Sequence, residues 1–356
     1  MAKGKGGFIG QDGLNAPDAP TGVSGTAGDK QVTVSFTSPS DVGGSAITGY
    51  NVVSSGGGTW KTYYDMANTA YDDVSFSTAS QSTTPTALAF NSDGTKMYVG
   101  DYNNKVFYQY SLSSAFDVSS ASYDSVSFSV TSQVTFLADV TFNNNGTKMY
   151  VVGDGNDTVF QYSLSSGFDL SSASYDSVSF NVSSQAASPQ GISFNSDGTK
   201  MYIVCYTNNA VYQYTLSTGF DLSSASYSSV SFSISSQITQ AQGLAFSSDG
   251  LKMFVGGNAT DTIFEYDLSS AYAISGASYS GNSFSVATQE TNPSSFAFNN
   301  DGSKLFVVGY TNDAVFQYTA GDFSYPTASP VTITGLTNGT SYTFNVWAIN
   351  AFGWSV

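Results

Sequence analysis

The glycine of an (Asp/Asn)-Gly turn recurs at Gly94, Gly146, Gly198, Gly250 and Gly302, and every interval is 52 residues. A period that never slips marks one supersecondary unit copied and stacked, because a unit of this size cannot bury its apolar face alone. In its best form a copy reads Tyr-Asp-Ser-Val-Ser-Phe, then Ser-Gln, an apolar segment ending in Phe, Asn-Ser-Asp-Gly-Thr-Lys-Met-Tyr-Val and Val-Phe-Gln-Tyr-Ser-Leu-Ser. Five copies cover residues 71–325.

Each copy carries four short runs of β-branched and aromatic residues separated by turn chemistry, which is the strand signal. In the second copy they are 125–130, 138–142, 148–152 and 158–164. The Asn-Ser-Asp-Gly connection puts glycine where a positive φ is needed, so residues 90–96 and their counterparts read as tight hairpins. No window carries a helical period. The pattern predicts an all-β chain whose repeats are the four-stranded blades of a five-bladed β-propeller. Residues 74–77 match the last strand of a blade, whereas the array ends on a third strand at 315–318. The leading segment is therefore expected to complete the final blade and close the ring.

The residues outside the ring read as two halves of one sandwich. Residues 19–59 alternate as strands would, through Gln31-Val32-Thr33-Val34-Ser35-Phe36 and Ile47-Thr48-Gly49-Tyr50-Asn51-Val52. Residues 326–356 add Val331-Thr332-Ile333 and Tyr342-Thr343-Phe344-Asn345-Val346-Trp347-Ala348. Together they resemble a fibronectin type III domain, with Tyr342 six residues after Leu336 as in that family's tyrosine corner. Phe36 stands where the family commonly has tryptophan, and the sequence reaches Val356 without a strand G. Either further chain supplies that strand or a neighbour covers the open edge. The expected division is an extended arm at 1–18, the sandwich halves at 19–59 and 326–356, and the propeller at 60–325, inserted between them.

Composition narrows the chemistry. Ten basic residues, all lysine, stand against 26 acidic ones for a net charge of −16, which disfavours nucleic acid as a partner. Histidine is absent and Cys205 is the one cysteine, so His-based triads, Cys/His zinc sites and internal disulfides are excluded. The N-terminus lacks the apolar run of a secretory signal, and no stretch is long and apolar enough for a membrane helix. Synthesis in a cytoplasm without membrane insertion is the expectation.

The opening Gly-Gly-Phe-Ile-Gly-Gln-Asp-Gly-Leu-Asn-Ala-Pro-Asp-Ala-Pro-Thr resembles the start of structural proteins of tailed, particularly marine, phages. The Asp-Gly-Thr-Lys-Met-Tyr-Val repeat likewise resembles propeller repeats of phage and bacterial surface proteins. The resemblance implies a non-enzymatic virion surface protein, either a head decoration or fibre or a tail-associated protein. Its arm, with Phe8, Ile9 and Leu14, and its sandwich would dock to other virion proteins, and the propeller would be displayed outward. The alternatives are an adhesin module that binds host-surface glycans and, last, a polysaccharide-cleaving propeller.

Catalytic, metal and cofactor sites are not expected. Only two glutamates occur, Glu265 and Glu290, and Asp139 is the single carboxylate placed near a channel mouth, where general acid catalysis would need a pair. Asn and Asp in the loops between second and third strands, such as Asn156 and Asp157, read as turn caps rather than calcium ligands. Lys96, Lys148, Lys200, Lys252 and Lys304 read as solvated turn lysines rather than a crown for a polyanion. Irregular residues at the start of the innermost strands make the candidate ligand site: Phe136, Asp139, Gln190, Gln242 and Asn292, with Trp60 nearby.

Overall fold

The computed structural model describes residues 16–355, so the arm residues Phe8, Ile9 and Leu14 lie outside the described residues. The chain divides into two compact units. One holds the described residues up to Thr62 and those from Asp322 on, and the other is Tyr63–Gly321.

In the larger unit each 52-residue period becomes a four-stranded antiparallel sheet. The first runs outward from Pro85–Phe90 through Lys96–Asp101 and Val106–Leu112 to Ala121–Ser129. Five such sheets form among the described residues, and the fifth takes its outer strand from the start of the unit, where Val74 pairs with Gln317. The strand expected at 125–130 is Ala121–Ser129, and it is the outer strand of the preceding blade.

The repeat folds this way because its turns and bulges are built from side chains. Asn91 Oδ1 accepts the Lys96 N–H at 2.9 Å across the first hairpin, and Gly94 takes a φ of +72° under the Phe116 ring. A methyl group at Gly94 would lie 2.2 Å from that ring, so the glycine serves both the turn and the close approach. Each outer strand carries a bulge whose residue has a positive φ, at Asp73, Ser125, Ser177, Ser229 and Gly281. Bulges twist an exposed edge away from further pairing.

Single 3-10 turns precede the outer strands, a feature the strand pattern does not reveal. Asp65, Asp117, Asp169 and Asp221 cap four of them through their carboxylates, whereas Ala273 caps none. These turns lock neighbouring blades. Gln109 Oε1 accepts the Leu170 N–H at 2.9 Å, Gln161 repeats the bond to Leu222, and Gln317 accepts from Val118. Buried tyrosines add a second clasp, as where the Tyr202 hydroxyl donates to the Tyr272 carbonyl at 2.6 Å. Apolar clusters such as Ala87, Tyr98, Leu137 and Met149 fill the seams.

Among the described residues the smaller unit has two three-stranded sheets. One orders Thr21–Gly28, Gln31–Thr37 and Val331–Ile333; the other orders Gly353–Trp354, Phe344–Asn350 and Gly49–Ser54. Val34, Phe36, Tyr50, Val52, Ile333 and Val346 share one core between them. These six strands correct the expected fibronectin type III-like sandwich, whose plan has seven. The expected absence of strand G is also corrected. The chain folds back at Gly353–Trp354, and the Ser355 N–H reaches the Ala348 carbonyl at 2.8 Å. Trp60 belongs to this unit, 5.4 Å from Tyr325, and not to the propeller.

Candidate functional site

The five inner strands run side by side around a channel, so positions one period apart form rings. One ring is Ala87, Asp139, Gly191, Gly243 and Ser295. It is small because the axis is crowded: a methyl group at Gly191 would meet the Gln242 carbonyl at 2.6 Å, and one at Gly243 the Phe296 ring at 2.6 Å. Asp139 alone projects a carboxylate there.

Asp139 Oδ2 accepts the Ile192 N–H of blade three at 3.0 Å, and Oδ1 accepts the Ser295 hydroxyl of blade five at 3.3 Å. Its side chain thus reaches from its own blade to blades three and five, and the residue is only 5% exposed. Burial pushes its carboxyl up to about 7, against the pull of the Ile192 and Val140 N–H groups and the Ser295 hydroxyl. The sequence places Asp139 near the mouth; the structure buries it in the inner ring, bonded to Ile192 and Ser295.

From Asp139 a cavity of about 470 Å³ widens toward the hairpin end. Thr141, Ser193, Ala89, Ala245 and Ala297 form its inner wall. Phe90, Phe142, Phe194, Phe246 and Phe298 end the inner strands, and the rings of Phe116, Phe168, Tyr272 and Tyr64 stand outside them. Amides and hydroxyls such as Asn91, Asn143, Ser247 and Asn299 edge the opening. Asp139 is the one ionisable carboxylate in the lining, and no lysine reaches it. Sequence reasoning missed this funnel because its aromatic residues are the repeat's own packing positions. Only the unequal ring at Asp139 pointed to it.

The other predicted residues lie at the opposite, mouth end. Phe136 is 39% exposed and stacks on Tyr102 at 5.0 Å with ring planes 7° apart. Tyr310 meets Tyr102 edge-on and donates to Thr86 Oγ1 at 2.8 Å. Gln190 donates to Asp154 Oδ2 at 3.0 Å, and Asn258 donates to Asn292 Oδ1 at 3.0 Å. Gln242 is buried and its Oε1 has no partner. Tyr102, Asp154, Asn258 and Tyr310 are not among the residues expected to bind a ligand, because their shared position at the end of the second strand differs from blade to blade.

The remaining carboxylates are structural. Asp101 accepts from the Ser82 and Thr84 hydroxyls and the Asn104 N–H. Glu290 accepts the N–H groups of Asn292, Thr311 and Asn312. Lys96 pairs with Asp124 at 3.4 Å, Lys148 with Asp176 at 2.7 Å and Lys252 with Glu265, while Lys304 donates to the Phe116 carbonyl. The lysines are thus half-buried and, Lys200 excepted, engaged with neighbours instead of solvated. Asn156, Asn208 and Asn312 donate to the carbonyls of Gln133, Gln185 and Gln289, which secures the loops between second and third strands. Among the described residues no group of three acidic or thiol side chains is arranged to hold a metal ion.

A family model described as "Lactonase, 7-bladed beta-propeller" matches residues 78–322, more than half of the chain. No curated protein matches it. Among solved structures, a functionally unknown protein from Desulfotomaculum acetoxidans is similar at 12% identity and a TM-score of 0.42, over 85% of this chain and 96% of that one. The periplasmic gluconolactonase of Pseudomonas aeruginosa aligns at 16% identity and a TM-score of 0.39, over 73% of each chain. A putative 6-phosphogluconolactonase from Bacteroides uniformis aligns at 10% identity and a TM-score of 0.42, over 72% of each.

The family match overturns the expectation of a phage virion protein in which a five-bladed propeller is inserted into a fibronectin type III-like sandwich. Virion surface assignment, with its decoration, fibre and adhesin readings, falls with it. The blade motif reports how strands pack within a blade, a requirement common to propellers whatever carries them, so it cannot single out a virion. The family is described as seven-bladed, while the described residues of this chain form five four-stranded sheets. The chain belongs to the lactonase family of β-propellers.

Proposed function

We propose that this lactonase-family propeller is a binding protein without hydrolytic activity, and that its funnel holds a small uncharged ring such as a cyclic ester. The observation that carries this reading is the state of Asp139. Opening a lactone needs a base to activate water and donors to hold the developing oxyanion. Both Asp139 oxygens are already engaged, by the Ile192 N–H and the Ser295 hydroxyl, and histidine and arginine are absent from the chain.

The lining also selects the ligand. A phosphorylated lactone would bring negative charge into an acidic protein, into a cavity that no lysine lines. A neutral ring would place its apolar faces against the phenylalanine ring and its oxygens toward the amides at the rim. Calorimetric titration with δ-gluconolactone, run beside a ring-opening assay, tests this. Binding is expected, it should be lost in Thr141→Phe, which fills the inner wall, and the opening rate should equal that of buffer. Absence of binding overturns the ligand. Turnover that falls in Asp139→Asn overturns the non-catalytic reading.

A further inference from the structure

The mouth end of the channel, opposite the funnel, carries a different chemistry. Tyr102, Phe136 and Tyr310 form an aromatic corner there, with Phe136 open to solvent. Around it stand the carboxylates of Asp101, Asp154, Asp157, Asp261, Glu290 and Asp313, while Lys105 is the one lysine in the loops between second and third strands. These carboxylates feel one another. Burial, then Asp154, holds the Asp157 carboxyl above its ordinary value; burial, then Glu290, does the same to Asp261; and burial, Glu290 and Asp101 together raise Asp313.

A second observation is independent of charge. Gln242 is 7% exposed and its Oε1 has no donor. It stands in the register position from which Gln190 of the preceding blade reaches Asp154 at the mouth. Asn258, whose Nδ2 is spent on Asn292, also has an unpartnered Oδ1. The orphaned buried atoms of Gln242, Asn258, Asp261 and Asp313 are all acceptors. A buried acceptor left without a donor is costly, and a ligand rich in N–H groups would recover that cost.

We infer that the mouth binds an organic cation carrying N–H donors, a primary amine, whose charge meets the Tyr102–Phe136 face and Asp154 and whose N–H groups reach the acceptors of Gln242 and Asn258. Aromatic faces attract ammonium groups through the ring quadrupole, and carboxylates strengthen the hold through charged hydrogen bonds.

Titration of the full chain with 1,5-diaminopentane at low and physiological ionic strength, with 1,5-pentanediol and tetramethylammonium beside it, tests the inference. One-to-one binding of the diamine is expected at both ionic strengths, with no binding of the diol and roughly tenfold weaker binding of tetramethylammonium, which has no donors. Phe136→Leu and Asp154→Asn should each weaken the diamine by roughly tenfold, and circular dichroism establishes that both variants are folded. Thr141→Phe, at the far end of the channel, should leave diamine binding unchanged, which separates this site from the funnel. Absence of diamine binding overturns the inference, as do equal binding of tetramethylammonium and affinities that neither mouth variant alters.

Discussion

The Met66 N–H donates to the Glu265 carboxylate at 3.1 Å across the seam between blades four and five. In the matching place of three other seams a glutamine accepts from the next 3-10 turn. Glu265 keeps that acceptor and adds a charge, which Lys252 meets from its own blade, with Asn282 close by. Seams differ in compensating ways. Phe254 and Phe306 lack the hydroxyl of Tyr98, Tyr150 and Tyr202, and at the Phe306 seam Lys304 reaches the Phe116 carbonyl instead.

Glu265→Gln should therefore be mild, because the amide still accepts from Met66 and Lys252 retains Asp267 at 3.6 Å. Glu265→Ala should cost about 2–3 kcal/mol, because it leaves a buried N–H without an acceptor and strips Lys252 of its inner partner. Chemical denaturation of the two variants checks the order. Equal losses would show that charge, not the seam hydrogen bond, is what matters at Glu265.

Asp139 makes stability depend on pH in a stated direction. Its carboxyl sits at about 7 in the folded chain, against an ordinary value of 3.8. Between those values the folded state holds a proton that the unfolded state has released, so unfolding becomes easier as pH rises. The contribution is complete below about pH 4, declines through about pH 7 and is flat above. Asp139→Asn should behave like the native chain at pH 4 and melt at a higher temperature at pH 8. Parallel melting curves for the two proteins across this range would contradict the assignment.

The period was legible in the sequence because a turn glycine tolerates no substitute: each of the five has a φ between +70° and +72° and an aromatic ring against its Cα. The strand runs were legible for the same local reason. What lies at the axis was not, since the ring of Ala87, Asp139, Gly191, Gly243 and Ser295 comes together from positions 52 residues apart, and only closure shows that Asp139 reaches Ser295. The funnel stayed hidden because Phe90 and its equivalents pack between blades and face the cavity at once. The family was misjudged because motif residues such as Met97 and Tyr98 are fully buried in seams, where they answer to packing rather than to biological setting.

Two glycines separate strain from crowding. Gly281 has a φ of +94° with nothing within 4 Å of an added methyl group, whereas Gly146 has a φ of +70° and would put that methyl 2.3 Å from the Phe168 ring. Gly281→Ala should cost roughly 1–2 kcal/mol, the strain of a left-handed residue. Gly146→Ala adds displacement of a packed ring, a further 1–3 kcal/mol or so. Thermal unfolding that ranks the two alike would mean that Phe168 moves aside freely.

Lys200 offers a test in the stabilising direction. Lys96 and Lys148 each find an aspartate 28 residues later, Asp124 and Asp176, but the corresponding residue for Lys200 is Ser228, which bonds Thr215 at 2.7 Å. Among the described residues Lys200 has no carboxylate within ion-pair distance. Ser228→Asp should install the pair and raise stability by about 0.5 kcal/mol, the usual worth of a half-exposed ion pair. The gain should shrink with added salt, because such a pair is screened. A salt-independent gain would trace instead to an aspartate at 228 accepting from the Thr215 hydroxyl, and the double variant Lys200→Met, Ser228→Asp would then retain it.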